Sequence, residues 1–139
     1  MGSQTQAVCD SFKQAILGGS SINMSGDTIK CALYTSSANL SASTTGYTTS
    51  GEVSGTGYTA GGTTLSGLTT GLSSNTAYVT WSNPSWTGST LTGVVAALIY
   101  DSTTSIAIAV LTFASTSTTA GTFTLVLPTA GSSSTITLT

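Results

Sequence analysis

The chemistry open to this chain of 139 residues is limited to four carboxylates (Asp10, Asp27, Glu52 and Asp101), two lysines (Lys13 and Lys30), two cysteines (Cys9 and Cys31) and many hydroxyls. Two facing carboxylates can hydrolyse a glycosidic bond, one as acid and one as base or nucleophile. Asp27 with Glu52, or Glu52 with Asp101, would be the pair, but nothing in their spacing demands that either meet. A serine nucleophile needs a base beside it. Only Lys13 and Lys30 offer one, and neither stands in a recognised catalytic pattern. Histidine, the usual side chain for proton transfer near neutral pH and for metal ligation, is absent. Gly55-Thr56-Gly57-Tyr58-Thr59-Ala60 fits the loose dinucleotide fingerprint. That motif works only where a strand turns into a helix whose N-terminus holds the pyrophosphate, and Gly61-Gly62-Thr63-Thr64 is poor helix material. Its glycines are therefore read as turn or bulge residues. Cys9 and Cys31 match no metal spacing and are expected to be buried and unbridged. The expectation is a protein that is not an enzyme, with no cofactor and no metal.

Trp81, Trp86, Tyr34, Tyr47, Tyr58, Tyr78 and Tyr100 are enough aromatics for a sugar-stacking surface. Aromatics in this number more often fill a core. Alternation sends Trp81 inward with Val79, and Tyr100 ends an apolar run. Trp86, between Ser85 and Thr87 and shortly after Pro84, is expected to be the exposed one and a candidate contact residue.

The elements that position these groups follow from periodicity. Ser3-Gln4-Thr5-Gln6 has the form of a helix capping box. Val8, Phe12, Ala15 and Ile16 then recur on one helical stripe, and Gly18-Gly19 ends it. Asp10 and Lys13 lie one turn apart. Such a stripe packs on something, so the helix is either a lid on its own sheet, the favoured reading, or an attachment arm. Val8, Phe12 and Ile16 are thus candidate interface residues.

Beyond the helix the grammar is β. Strands are expected at residues 28–35, 52–58, 63–68, 76–81, 85–91, 94–100, 106–113, 122–127 and 135–138. Residues 94–100 and 106–113 are continuous apolar runs joined by a turn whose first residue, Asp101, caps it, which reads as a central hairpin. The fold expected is all-β: a single antiparallel β-sandwich, jelly-roll or Ig-like, of about seven or eight strands with one N-terminal α-helix. Residues 1–139 form one domain, with 1–19 as helix or arm and 28–139 as the sandwich.

Composition narrows the partners. Charged residues are 4% of the chain, the net charge is −2, and threonine and serine number 30 and 24. Two cations cannot neutralise a phosphate track, so no nucleic acid is expected. The longest apolar runs, residues 94–100 and 106–111, are well short of the roughly 20 residues of a spanning helix, so no membrane is expected either. No basic segment followed by an apolar stretch marks a secretory signal, and synthesis in a cytoplasm is expected. A β-rich chain with so few charges lacks the repulsion that keeps neighbouring molecules apart. A surface covered by sister copies or by a larger assembly resolves that.

The run Asp27-Thr28-Ile29-Lys30-Cys31-Ala32-Leu33-Tyr34-Thr35-Ser36-Ser37 resembles the opening strand of a family of small tailed-bacteriophage virion proteins. Ala38-Asn39-Leu40-Ser41-Ala42-Ser43-Thr44-Thr45, Glu52-Val53-Ser54-Gly55-Thr56-Gly57-Tyr58-Thr59-Ala60-Gly61-Gly62, Val79-Thr80-Trp81 and Ala97-Leu98-Ile99-Tyr100-Asp101 continue the likeness, from about Ser11 to Pro128. Gly93-Val94-Val95 and the Ser/Thr-rich tail after Pro128 depart from it. The resemblance implies a virion component. The leading expectation is a capsid decoration, or cement, protein that binds the major capsid protein and its own sister copies as a homo-oligomer, with local symmetry axes suggesting a trimer. A tail, neck or fibre component of the same particle is the alternative. A threonine-ranked binder of sugar or ice is a third, hinted at only by Thr122-Phe123-Thr124 and Thr135-Ile136-Thr137.

Overall fold

The two uninterrupted apolar runs form the centre of the molecule, as strands buried on both faces must. In the computed structural model, which describes residues 2–19, 22–128, 131 and 134–138, the chain is all-β with one short helix, 47% strand and 6% helical. Its elements are β1 (Ala7–Val8), α1 (Asp10–Leu17), β2 (Ile29–Tyr34), β3 (Thr63–Thr64), β4 (Thr69–Ser73), β5 (Thr76–Thr80), β6 (Ser85–Asp101), β7 (Ile106–Thr124) and β8 (Ile136–Leu138). They form a five-stranded sheet of order β1-β7-β6-β2-β3 and a three-stranded sheet of order β4-β5-β8, antiparallel throughout.

Alternation along β2 and β6 divides the buried side chains between the two faces of the larger sheet. Ile29, Cys31, Leu33, Ala97 and Ile99 join one cluster, closed by Val79 of β5, Ile136 of β8 and Phe12 of α1. Ala32, Tyr34, Ala96, Leu98 and Tyr100 join the other, closed by Ala38, Leu40 and Tyr47 from the long segment after β2.

The expected hairpin is present, but it is longer than its apolar runs. The strands expected at 85–91 and 94–100 fuse into β6, and 106–113 extends through to Thr124 in β7. Gly93, at φ 66°, carries the chain through a shift of register between Leu91 and Val94 instead of a turn. The strand expected at 52–58 reduces to a single bridge between Glu52 and Tyr34, because Gly55 and Gly57 take positive φ to bring this segment against the backbone of β6. Of residues 63–68 only Thr63–Thr64 form a strand, and β4 was not anticipated.

The helix begins later than its capping box predicts. Residues 2–8 take backbone partners from elsewhere: Gly2 N donates to Ser36 O (2.9 Å), Thr5 N to Leu40 O (2.8 Å), and Val8 pairs with Ala109. These long-range bonds satisfy the same donors that a first helical turn would leave free, so the segment is extended. Val8 therefore lies in β1. Cys9 is the N-cap, with no side-chain capping bond. Asp10 and Lys13 do form the expected surface ion pair, at 3.0 Å.

Candidate interaction surface

α1 lies across the gap between the edge of the large sheet at β1 and the small sheet at β5 and β8. It fills that gap only partly. Phe12 and Ala15 are buried, and Phe12 joins the core shared by the two sheets, which makes the helix a lid. The next residues on the helix do not follow: Ile16 is 42% exposed and Leu17 88%. Across from them Leu138 of β8 is 60% exposed. Between these residues runs an apolar groove of about 330 Å³, walled by Val8, Phe12, Ile16, Leu17, Tyr78 and Leu138.

Three of the four residues singled out from sequence, Val8, Phe12 and Ile16, thus come together on one groove. Leu17 and Leu138 were missed. Leu17 falls outside the stripe of Val8, Phe12, Ala15 and Ile16, and Leu138 alternates with Thr137 in a strand too short to show which face is covered.

Trp86 is not part of this surface, and its expected exposure is wrong. It is 5% exposed. Residue 86 already lies inside β6, where Ser85 and Thr87 turn outward and the tryptophan inward, opposite Phe123. The indole meets Phe123 edge-on at 5.8 Å and Tyr58 at 6.2 Å. Of the two threonine ranks, Thr122 and Thr124 both lie exposed on β7, but the second does not form. Thr135 is turned inward, its hydroxyl 2.7 Å from that of Thr80.

Glu52 joins neither Asp27 nor Asp101, the two carboxylates it could have met. Glu52 is enclosed by tyrosines instead. Its Oε1 accepts from Tyr47 at 2.6 Å, and its Oε2 accepts from Tyr58 at 2.6 Å and from Gly61 N at 2.8 Å. Tyr58 in turn accepts from Leu33 N (3.0 Å), and Tyr100, stacked on Tyr47 at 5.0 Å, donates to Gly61 O (2.7 Å). Burial and the neighbouring carboxylate push Tyr47 up to about 12 and also raise Tyr58, so both remain neutral donors. A carboxylate held by three donors is a structural knot, poorly placed to move protons. A shallow hollow of about 650 Å³ beside Tyr47 is lined mainly by neutral hydroxyls and Asn39.

Cys9 and Cys31 are free and buried in separate clusters on the two faces of the sheet. Burial pushes Cys9 up to about 11 and Cys31 up to about 12, so the reactive thiolate form is suppressed. Among the described residues no group of three or more histidine, cysteine or acidic side chains gathers around a metal-sized site, and no helix is long and apolar enough to cross a membrane. No family model, curated protein or solved structure matches the chain.

Proposed function

We propose that this chain is a non-enzymatic structural protein of a bacteriophage virion, a decoration protein that binds the shell of major capsid protein through the groove between α1 and β8. The observation that carries the reading is this open apolar groove, with Leu17 and Leu138 exposed on a chain that has only six charged side chains in 139 residues. Burying such a surface against a partner gains roughly 25 cal/mol per Å² of apolar area, and the one charged side chain on the groove, Lys13, is already paired with Asp10. The sequence resemblance to small tailed-phage virion proteins supplies the class of partner. Attachment is adhesive: each copy covers about 800 Å² of its neighbours, and engaging several subunits at once adds avidity without an exceptional pairwise affinity.

Copy number tests the reading. Quantitative mass spectrometry of purified virions is expected to find this protein at a ratio near that of the major capsid protein. A few copies per particle would place it in the tail, neck or fibre, and absence from the particle would remove the virion reading altogether.

A further inference from the structure

Ile29 pairs with Asp101 across β2 and β6, which brings the turn before β2 against the tip of the central hairpin. Ser102 N donates to Thr28 O at 2.9 Å, and Thr28 N donates to Thr103 Oγ1 at 3.0 Å. Asp101 itself has no exposed surface. Its Oδ1 caps the tip as the sequence predicts, accepting from Thr103 N (2.8 Å) and Thr104 N (3.1 Å). Its Oδ2 is buried and has no donor. The same carboxyl is in hydrogen-bond contact with that of Asp27, whose Oδ2 accepts from Asn23 N at 2.9 Å.

Two ionised carboxylates in contact have no hydrogen between them and repel. A positive partner must join them. Calcium takes six to eight oxygens, whereas the site brings together only two carboxyl groups with no third acidic side chain. We propose that Asp27 and Asp101 share a single proton, carried on Asp101, and that the resulting bond is a pH-operated latch between the hairpin tip and the segment leading into β2.

The surroundings agree. Burial, then the contact with Asp27, raises Asp101 above the ordinary aspartate range, against the bonds from Thr104 and Thr103 that lower it. Contact with Asp101, then the Asn23 N–H, lowers Asp27. Among the described residues no other charge is placed against the pair. Lys30 lies on the opposite face of the sheet beside Gly61 and Tyr100, β7 contains no ionisable side chain, and neither does the tip at 102–105. The folded-state value of Asp101 lies above its unfolded one, so its stabilisation is complete at low pH and is lost as pH rises through the raised value. Asp27 acts in the opposite sense, its contribution being lost as pH falls through the lowered value. The latch is closed in the window between the two and opens above it.

Thermal unfolding of the full chain from acid to neutral pH, beside Asp27→Asn and Asp101→Asn, tests this. Each variant replaces the shared proton with an amide hydrogen that does not titrate. The wild-type midpoint is expected to fall by several degrees as pH rises out of the window, with the amide resonances of Thr103 and Thr104 shifting at the same pH, while both variants stay level. A wild type level with pH, or variants that follow the wild-type profile, would overturn the latch. So would calcium that raises the wild-type midpoint at neutral pH and leaves Asp27→Asn unmoved, which would make the pair a cation site. Should both variants fail to fold, the carboxyl-carbon NMR titration of wild-type Asp101 decides: a raised midpoint supports the shared proton and an ordinary one contradicts it.

Discussion

The two faces of the five-stranded sheet are closed by different means. One is covered by the long segment after β2, with Ala38, Leu40 and Tyr47 laid over Leu98 and Ala96. Along the β2 side, Glu52 and its tyrosines tie that covering down with short hydrogen bonds. The other face is covered by the small sheet and α1, which share core residues with it but leave the groove at Ile16, Leu17 and Leu138 open. A chain able to seal one face with loops alone has no need of uncovered leucines on the other for its own folding. The difference separates surface that stabilises the monomer from surface available to a partner.

Substitutions can break that contrast. The largest loss is expected from Trp86→Ala, about 3–5 kcal/mol by chemical denaturation, because the indole is packed between Tyr58 and Phe123. A loss under about 0.5 kcal/mol, the level of an exposed position, would return Trp86 to the surface. Leu98→Ala on the sealed face is expected to cost about 2–5 kcal/mol. Glu52→Ala leaves two tyrosine hydroxyls and the Gly61 N–H without their acceptor, and a loss of about 1–3 kcal/mol is expected. The same network makes the fold sensitive to alkali. Tyr47 titrates higher when folded, so its contribution is complete below pH 10 and lost as pH rises towards about 12, which circular dichroism would follow beside Tyr47→Phe. Leu17→Lys, at the open groove, is expected to change stability by no more than about 0.5 kcal/mol. A larger loss would mean that the groove belongs to the monomer's own core.

Much of the fold was legible because its signals are local. The continuous apolar runs gave the central hairpin, alternation placed Trp81 and Cys31 inside, and Asp101 caps the tip as its position beside Ser102 and Thr103 suggests. What stayed hidden depends on distant partners. The capping box lost to backbone bonds with residues 36–40, and Trp86 was misplaced because its polar neighbours Ser85 and Thr87 mark the outward positions of β6 and leave the indole facing Phe123. In the candidate surface, helical spacing found Val8, Phe12 and Ile16, although Val8 reaches the groove from a strand. Leu17 and Leu138 become binding candidates only once the gap between the sheets is known, and no short-range pattern encodes that gap.

The central claim is that the uncovered groove attaches this protein to the virion shell. Its most direct test is the occupancy of purified particles by wild-type protein and by Leu17→Lys, with folding of both checked by circular dichroism. The account predicts wild-type copies near the number of capsid subunits and a Leu17→Lys chain that folds normally but is depleted from particles at least tenfold, the effect of about 1.4 kcal/mol lost at each contact. Equal occupancy by the two chains would contradict it.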